Sequence, residues 1–136
     1  MKRVAILDVS YDHAKEMRDI VYAADTLIIN VRDDFPAGIL EAIAWEPNII
    51  LMSIQVDDEP IGLHDAIKAA YEAGIVLVAA EDNKNWFLDR FKKAMGHDRS
   101  GYYPAKYPEV KAVAGNDKRG TSYDTAIYVR GLVSDG

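Results

Sequence analysis

Polar and acidic side chains follow three of the apolar, strand-like runs of this chain. These strand ends carry Asp8, Ser53 and the cluster Glu81-Asp82-Asn83. In open parallel sheets, ligands and catalytic groups gather at the carboxyl ends of the strands. Carboxylates there could bind a divalent cation, orient a histidine or act as a paired acid and base. Asp8 could equally be a turn residue that closes the strand exit.

The three histidines do not extend these acids into a recognisable site. His13 falls in a polar segment interpreted as a loop, His64 near the start of a helix, and His97 after the end of one. None lies at the carboxyl end of a strand or at metal-ligand spacing to another, so we expect surface or helix-capping roles. No glycine-rich loop follows the first strand, which argues against a dinucleotide-binding fold. The sequence predicts no metal and no cofactor.

The apolar spacing predicts the elements that position these residues. Strands are expected at Val4–Leu7, Thr26–Val31, Ile49–Ile54, Ile75–Ala80 and Val110–Ala114, with a further one at Ala126–Val129. Helices are expected at Ala14–Ala24, from Pro36 to Ala44, from Ile61 to Tyr71, where Gly74 supplies a left-handed cap, and at Asn85–Met95. Apolar strands alternating with helices are typical of a parallel sheet covered on both faces. We predict a single α/β domain over residues 1–136, with three α/β/α layers and a mainly parallel sheet.

Composition narrows the possible functions. The 136 residues include 16 basic and 22 acidic side chains, giving a formal net charge of −6, and no cysteine. The absence of cysteine excludes disulfides, thiol nucleophiles and zinc–thiolate sites. The acidic balance argues against nucleic-acid binding, and no apolar run reaches the roughly 18 residues that a membrane span needs. We expect a cytoplasmic protein.

Four ordered segments carry the most specific motifs. They are Lys2–His13, Asn48–Ile54, Ala66–Asn83 and Tyr103–Val113, the last reading Tyr-Pro-Ala-Lys-Tyr-Pro-Glu-Val-Lys-Ala-Val. Together they resemble the subtilisin-like serine proteases. The resemblance implies a minimal subtilisin-like core in which Asp8 is the catalytic aspartate and Asn83 is the asparagine that donates to the oxyanion. It also implies that Asn48–Ile54 lines the substrate channel and that the bond before Pro104 is cis.

The resemblance also marks parts that are expected to be missing. The family's His-Gly-Thr-His-Val-Ala-Gly block, which carries the proton acceptor, is not found between the first strand and Trp45. The Gly-Thr-Ser-Met-Ala-Ser-Pro block with the nucleophile should follow well after Val113, and the chain is expected to end before it. Because triad residues act as a unit, these losses imply a catalytically inactive pseudo-protease. Asp8 and Asn83 are then vestiges with nothing to orient or stabilise.

The groove residues also depart from the family. Ser53 is retained, but Glu81 and Asp82 replace Ala-Gly before the asparagine. Tyr102 stands where a glycine forms the floor of the main specificity pocket. We expect these carboxylates and this phenol to repel an oxyanion and to fill the pocket.

Loss of the histidine and serine helices should uncover one face of the sheet. Lys111 stands where the family has a buried isoleucine, which predicts a solvent-facing side of the last strand. Uncovered apolar strands aggregate, so something must cover them. The helices without a counterpart are Ala14–Ala24 and Asn85–Met95. The second carries the aromatic residues Trp86, Phe87 and Phe91, which could repack the core or anchor a partner.

The sequence therefore predicts an inactive subtilisin-like domain that serves as a protein-binding or regulatory module. Its partner would be an unidentified protein or a second copy of the chain in a homodimer. Two alternatives remain open. One is a metal-dependent hydrolase that uses the strand-end acids Asp8, Asp12, Glu81 and Asp82. The other is one half of a split serine protease that a second chain completes.

Overall fold

The structure, a computed structural model, describes residues 2–22, 24–81, 102–113 and 121–134. The strands are β1 (Arg3–Asp8), β2 (Asp25–Asn30), β3 (Ile49–Met52), β4 (Val76–Ala80) and β5 (Val110–Val113). The helices are α1 (Tyr11–Val21), α2 (Phe35–Ala44), α3 (Leu63–Glu72) and α4 (Thr121–Ser134). All four strand pairs are parallel, in the order β2-β1-β3-β4-β5. The predicted α/β fold with a parallel sheet is confirmed.

The side chains of β1 alternate between two hydrophobic cores. Ala5 and Leu7 join the core that α2 and α3 form, whereas Val4 and Ile6 join the core that α1 and α4 form. Because successive side chains of a strand point to opposite faces, this division shows that the sheet is covered on both sides. The three α/β/α layers therefore follow directly from the continuous apolar character of the strands.

The expectation of an uncovered sheet face is wrong. The buried residues of α1 and α4, among them Met17 and Val129, pack on Ile6 and Leu51 of that face. Lys111 is exposed, as expected, but its Nζ lies 5.8 Å from the ring centroid of Tyr128 on α4. The last strand thus has a helix beside it, and within the described part of the chain α1 and α4 both cover this face of the sheet.

Two predicted elements differ from the observed ones. Residues Ala126–Val129 form part of α4 rather than a strand, because Ala126, Val129 and Val133 are buried at helical spacing, which a window of four residues does not reveal. Helix α1 begins at Tyr11, three residues before the predicted start, because Ser10 is its N-cap. The predicted helix Asn85–Met95 lies outside the described residues.

Two backbone predictions are confirmed, one made from a glycine in the sequence and one implied by the family resemblance. Gly74 adopts φ = 83°, the left-handed conformation expected after α3, and the Tyr103–Pro104 bond is cis. None of the described helices is both long and apolar enough to cross a membrane. The prediction of a single domain over residues 1–136 stays a prediction.

Candidate active site

Asp8 ends β1 with its carboxylate buried and fully engaged. The residue is 3% exposed, and its Oδ1 accepts hydrogen bonds from the backbone amides of Val9 (2.7 Å) and Ser10 (3.2 Å). These two amides fix the plane of the carboxylate. Oδ2 is left to meet Nδ1 of His13 at 2.5 Å. The strand end therefore presents an oriented acceptor to a single imidazole.

His13 reaches this acceptor because α1 begins immediately after the strand. The Ser10 hydroxyl accepts a hydrogen bond from the His13 amide at 3.3 Å, which sets His13 in the first helical turn. With the Nδ1 proton donated to Asp8, Nε2 becomes the acceptor, and the imidazole is 31% exposed. An orienting carboxylate, an Nδ1–H and an Nε2 that has no hydrogen bond among the described residues are the arrangement of a general base in acyl transfer.

Two predictions are corrected by this pair. His13 lies in a helix and pairs with a buried acid, so a loop position with a surface or capping role was wrong. Asp8 orients an imidazole, so the inference that it has nothing to orient was also wrong. The spacing Asp8-x-x-x-x-His13, with the cap residue Ser10 between, was the signal available in the sequence.

The first turn of α4 borders the imidazole. The ring of Tyr123 meets that of His13 edge-on, with centroids 6.5 Å apart and planes at 88°. The Tyr123 hydroxyl donates to Oε2 of Glu16, one turn further along α1. The amino-terminal end of α4 is therefore held beside the Asp8–His13 pair.

A tripeptide at the start of α4 was not among the predicted site residues. Gly120-Thr121-Ser122 reproduces the first three residues of the nucleophile block, and it begins seven residues after Val113. The expectation that the chain ends before this block needs this correction, although the next residues, Tyr123-Asp124-Thr125, depart from Met-Ala-Ser. Thr121 and Ser122 are the first two residues of α4. Gly120 and the side chain of Ser122 lie outside what the structure describes.

Residues after β3 form the adjoining wall. The Ser53 amide donates to the Leu7 carbonyl at 3.1 Å, and the Ser53 hydroxyl is buried with no hydrogen-bond partner among the described residues. The side-chain amide of Gln55 donates to the main-chain carbonyl of Glu81 at 2.5 Å. This bond bridges the segments that follow β3 and β4, which are neighbours in the sheet.

A cleft of about 340 Å³ lies between the segments that follow β1, β2 and β3. Its apolar wall includes Val31, Phe35, Ile54 and Val56. Ile61 stands at its edge and is 99% exposed. Arg32, Asp33 and Asp34 add polar groups to the lining. The cleft therefore combines apolar walls with charges, as ligand pockets do.

A second cluster of side chains links the residues between β3 and the end of α3 to the segment that precedes β5. The imidazole of His64 stacks on the ring of Tyr107, with centroids 4.2 Å apart and planes at 9°, and its Nε2 lies 3.1 Å from Oε1 of Glu109. The buried Tyr107 hydroxyl donates to Oε2 of Glu59 at 2.6 Å. Burial, followed by the bond to Glu59, raises the pKa of Tyr107 far above its usual value. A hydrogen bond from its own backbone amide, aided by His64, lowers the pKa of Glu109 although desolvation opposes it.

The backbone adds to this connection. Val56 and Tyr103 form an antiparallel bridge, in which each amide donates to the other's carbonyl at 3.0 Å. The segment before β5 is therefore fixed to the segment after β3 by both main-chain and side-chain contacts. The prediction that Tyr102, in the same segment, fills the specificity pocket stays a prediction.

Several predicted site residues lie outside the described part of the chain. They are Asp82, Asn83, Trp86, Phe87 and Phe91. Within the described ranges, no three histidine or acidic side chains are grouped closely enough to hold a metal ion. Asp12 is solvent-exposed and pairs with Lys15. The metal-dependent alternative, which needs Asp82, stays a prediction.

Comparison with known proteins bears on this geometry. No family model matches the chain. The minor extracellular protease Epr of Bacillus subtilis (strain 168) is 32% identical over 102 residues, covering 73% of this chain and 14% of Epr. The subtilisin-like protease Apa1 of an Antarctic Pseudoalteromonas species shares the fold, with a TM-score of 0.58 and 16% identity over 82% of this chain and 35% of Apa1.

The chain is thus similar in sequence to part of Epr and in fold to part of Apa1. It spans only 14% of the length of Epr and 35% of the Apa1 chain. A flavodoxin-like domain from Synechococcus aligns over 98% of this chain and 99% of its own, but with 10% identity and a TM-score of 0.44. A score that low does not indicate a common fold.

Proposed function

We propose that the chain is a serine-type peptidase whose catalytic groups are Asp8, His13 and Ser122. The observation that supports this is the hydrogen bond between Oδ2 of Asp8 and Nδ1 of His13, which lies beside the first turn of α4. The relationship to subtilisin-like proteases supplies the expected reaction class. The tripeptide Gly120-Thr121-Ser122 supplies the nucleophile at the start of that helix.

The reaction follows from these groups. The Ser122 hydroxyl attacks the carbonyl carbon of a peptide bond as its proton passes to Nε2 of His13. Asp8 holds the imidazole in the required tautomer and stabilises its charged form. The tetrahedral intermediate collapses, the C–N bond breaks, and His13 returns the proton to the leaving amine. Water then hydrolyses the acyl-enzyme by the same proton route, and the family resemblance assigns Asn83 as an oxyanion donor.

The cleft between the segments that follow β1, β2 and β3 is the proposed binding site for a peptide substrate. Its apolar wall, with Phe35, Ile54 and Val56, offers a seat for a hydrophobic side chain. Ile54 is the last residue of the stretch Asn48–Ile54 that the family resemblance associates with the substrate channel. We therefore expect cleavage of extended peptides that carry an apolar residue near the scissile bond.

A fluorophosphonate probe tests this proposal without knowledge of the substrate. The Ser122 oxygen would bond to phosphorus, fluoride would leave, and the hydroxyl proton would pass to His13. Intact mass spectrometry should show one adduct on the wild-type chain and none on Ser122→Ala, with labelling slowed by several orders of magnitude in His13→Ala. Ser134→Ala is the matched control, because Ser134 lies at the far end of the same helix and bonds the Arg130 carbonyl.

A second candidate is the inert binding module. The bond from Gln55 to the Glu81 carbonyl favours it, because this side chain bridges the two segments that would flank a bound peptide. A wild-type chain that is folded by circular dichroism yet never labelled would support the inert module and contradict the peptidase. Labelling of a co-purifying chain instead would support a split enzyme. Light scattering on wild type and Trp86→Ala then tests the proposed homodimer.

A further inference from the structure

We infer that Tyr123 and Glu16 form a strap that keeps the helix bearing the base in register with the helix bearing the nucleophile. The inference rests on the proposed function and adds two positioning residues to it. Its basis is one bond and one ring contact: the Tyr123 hydroxyl donates to Oε2 of Glu16, and the Tyr123 ring lies edge-on to the imidazole of His13.

The need for a strap arises from the placement of the reacting groups. His13 lies in the first turn of α1, and Ser122 lies in the first turn of α4, 109 positions later in the chain. Their separation therefore depends on how the two helices are set against each other. A displacement of about 1 Å between reacting groups lowers catalytic rates by about a hundredfold.

The contacts between the two helices in this core are apolar, and they include Ala14, Val21, Ala126 and Val129. Apolar contacts are non-directional, so they constrain the register of the helices less sharply than a polar bond does. A hydrogen bond has a preferred length and angle, and a bond to a carboxylate is stronger than a neutral one.

Both members of the strap lie next to the reacting groups. Tyr123 directly follows Ser122, and Glu16 comes three positions after His13, on the same side of α1. The Tyr123 ring contacts the imidazole, while Asp8 engages the Nδ1 atom. The strap thus confines His13 from the α4 side, and it ties the nucleophile's turn to the base's turn.

The test separates the hydroxyl bond from the ring. Tyr123→Phe keeps the ring against His13 and removes the bond, Glu16→Ala removes the acceptor, and Glu16→Gln keeps an acceptor oxygen. We expect the maximal phosphonylation rate to fall about fivefold to tenfold in Tyr123→Phe and in Glu16→Ala, with the probe's half-saturating concentration within about twofold of wild type. Glu16→Gln should retain most of the rate, and the double variant should lose no more than either single one.

Tyr128→Phe is the matched control, because Tyr128 lies on the same helix but faces Lys111. Wild-type rates in both Tyr123→Phe and Glu16→Ala, or additive losses in the double variant, would overturn the strap. Hydrogen exchange keeps the test independent of activity. The amides of residues 125–128, which bond the carbonyls of the first turn of α4, should exchange faster in Tyr123→Phe and Glu16→Ala than in wild type, even if no chain is labelled. Unchanged exchange in that case would reject the strap, whereas absent labelling alone rejects the peptidase.

Discussion

Nδ1 of His13 lies 2.5 Å from Oδ2 of Asp8, and the two residues are five positions apart in the chain. A strand end and the first turn of the next helix are sufficient to build this pair. The intervening residues serve it as well, because the Val9 and Ser10 amides orient the carboxylate and the Ser10 hydroxyl caps the helix. An acid–imidazole pair can thus arise within a single strand–helix junction.

The cap residue should matter to both stability and the site. Ser10→Ala removes the acceptor for the His13 amide, so we expect the free energy of unfolding to fall by about 1 kcal/mol, as for other N-caps. Urea denaturation measures this loss. We also expect slower phosphonylation, because His13 then lies in a frayed first turn.

Gly74→Ala provides the matched control for the cap variant. Gly74 adopts φ = 83°, so an alanine there is strained, yet the position ends α3 far along the chain from His13. We expect it to lower stability comparably while the phosphonylation rate stays at the wild-type level. Equal slowing in both variants would show that the effect of Ser10→Ala reflects general destabilisation.

The packing of α4 predicts unequal costs for two neighbouring positions. Val129 is 0% exposed and lies in the core on the α1 side of the sheet, whereas Ile127 is 36% exposed. Val129→Ala should cost about 2 kcal/mol because it removes two buried methyl groups and leaves a cavity. Ile127→Ala should cost about 0.5 kcal/mol. Chemical denaturation would contradict the helical assignment if the two costs were equal or reversed.

The free energy of unfolding at acidic pH should depend on Glu109. Its pKa is lowered in the folded chain by its own backbone amide, His64 and Lys68, so the folded state favours the carboxylate more than the unfolded state does. The resulting stability is present above the ordinary glutamate pKa of about 4.3 and is lost as the pH falls through the lowered value.

Glu109→Gln tests this dependence. It should lower the free energy of unfolding at pH 7, and its difference from wild type should shrink below about pH 4.3 as the wild-type carboxylate becomes protonated. Denaturation curves across this range measure both effects. Glu72→Gln is the control, because this residue is exposed at the end of α3. Its substitution should leave the pH dependence of the free energy of unfolding unchanged. A difference for Glu109→Gln that stays constant with pH would contradict the assignment.

Local sequence signals determined much of the fold. Apolar runs such as Val4–Leu7 and Ile75–Ala80 indicated a parallel sheet buried on both faces, because strands of this kind need cover on each side. The left-handed Gly74 and the cis bond before Pro104 were also predicted correctly. Each of these features depends on residues within a few positions of one another, or on a motif that is continuous in the chain.

Only the tertiary structure decided how the candidate site is assembled. The strand-like window Ala126–Val129 proved helical, because its buried positions repeat against α1 and the sheet rather than against a neighbouring strand. Tyr123 meets Glu16 from 107 positions away, and this contact holds the first turn of α4 beside the Asp8–His13 pair. Apolar periodicity marks which face of a helix is buried but not which helix it meets, because hydrophobic attraction has no direction. The partner of each face is set by the packing of the whole sheet.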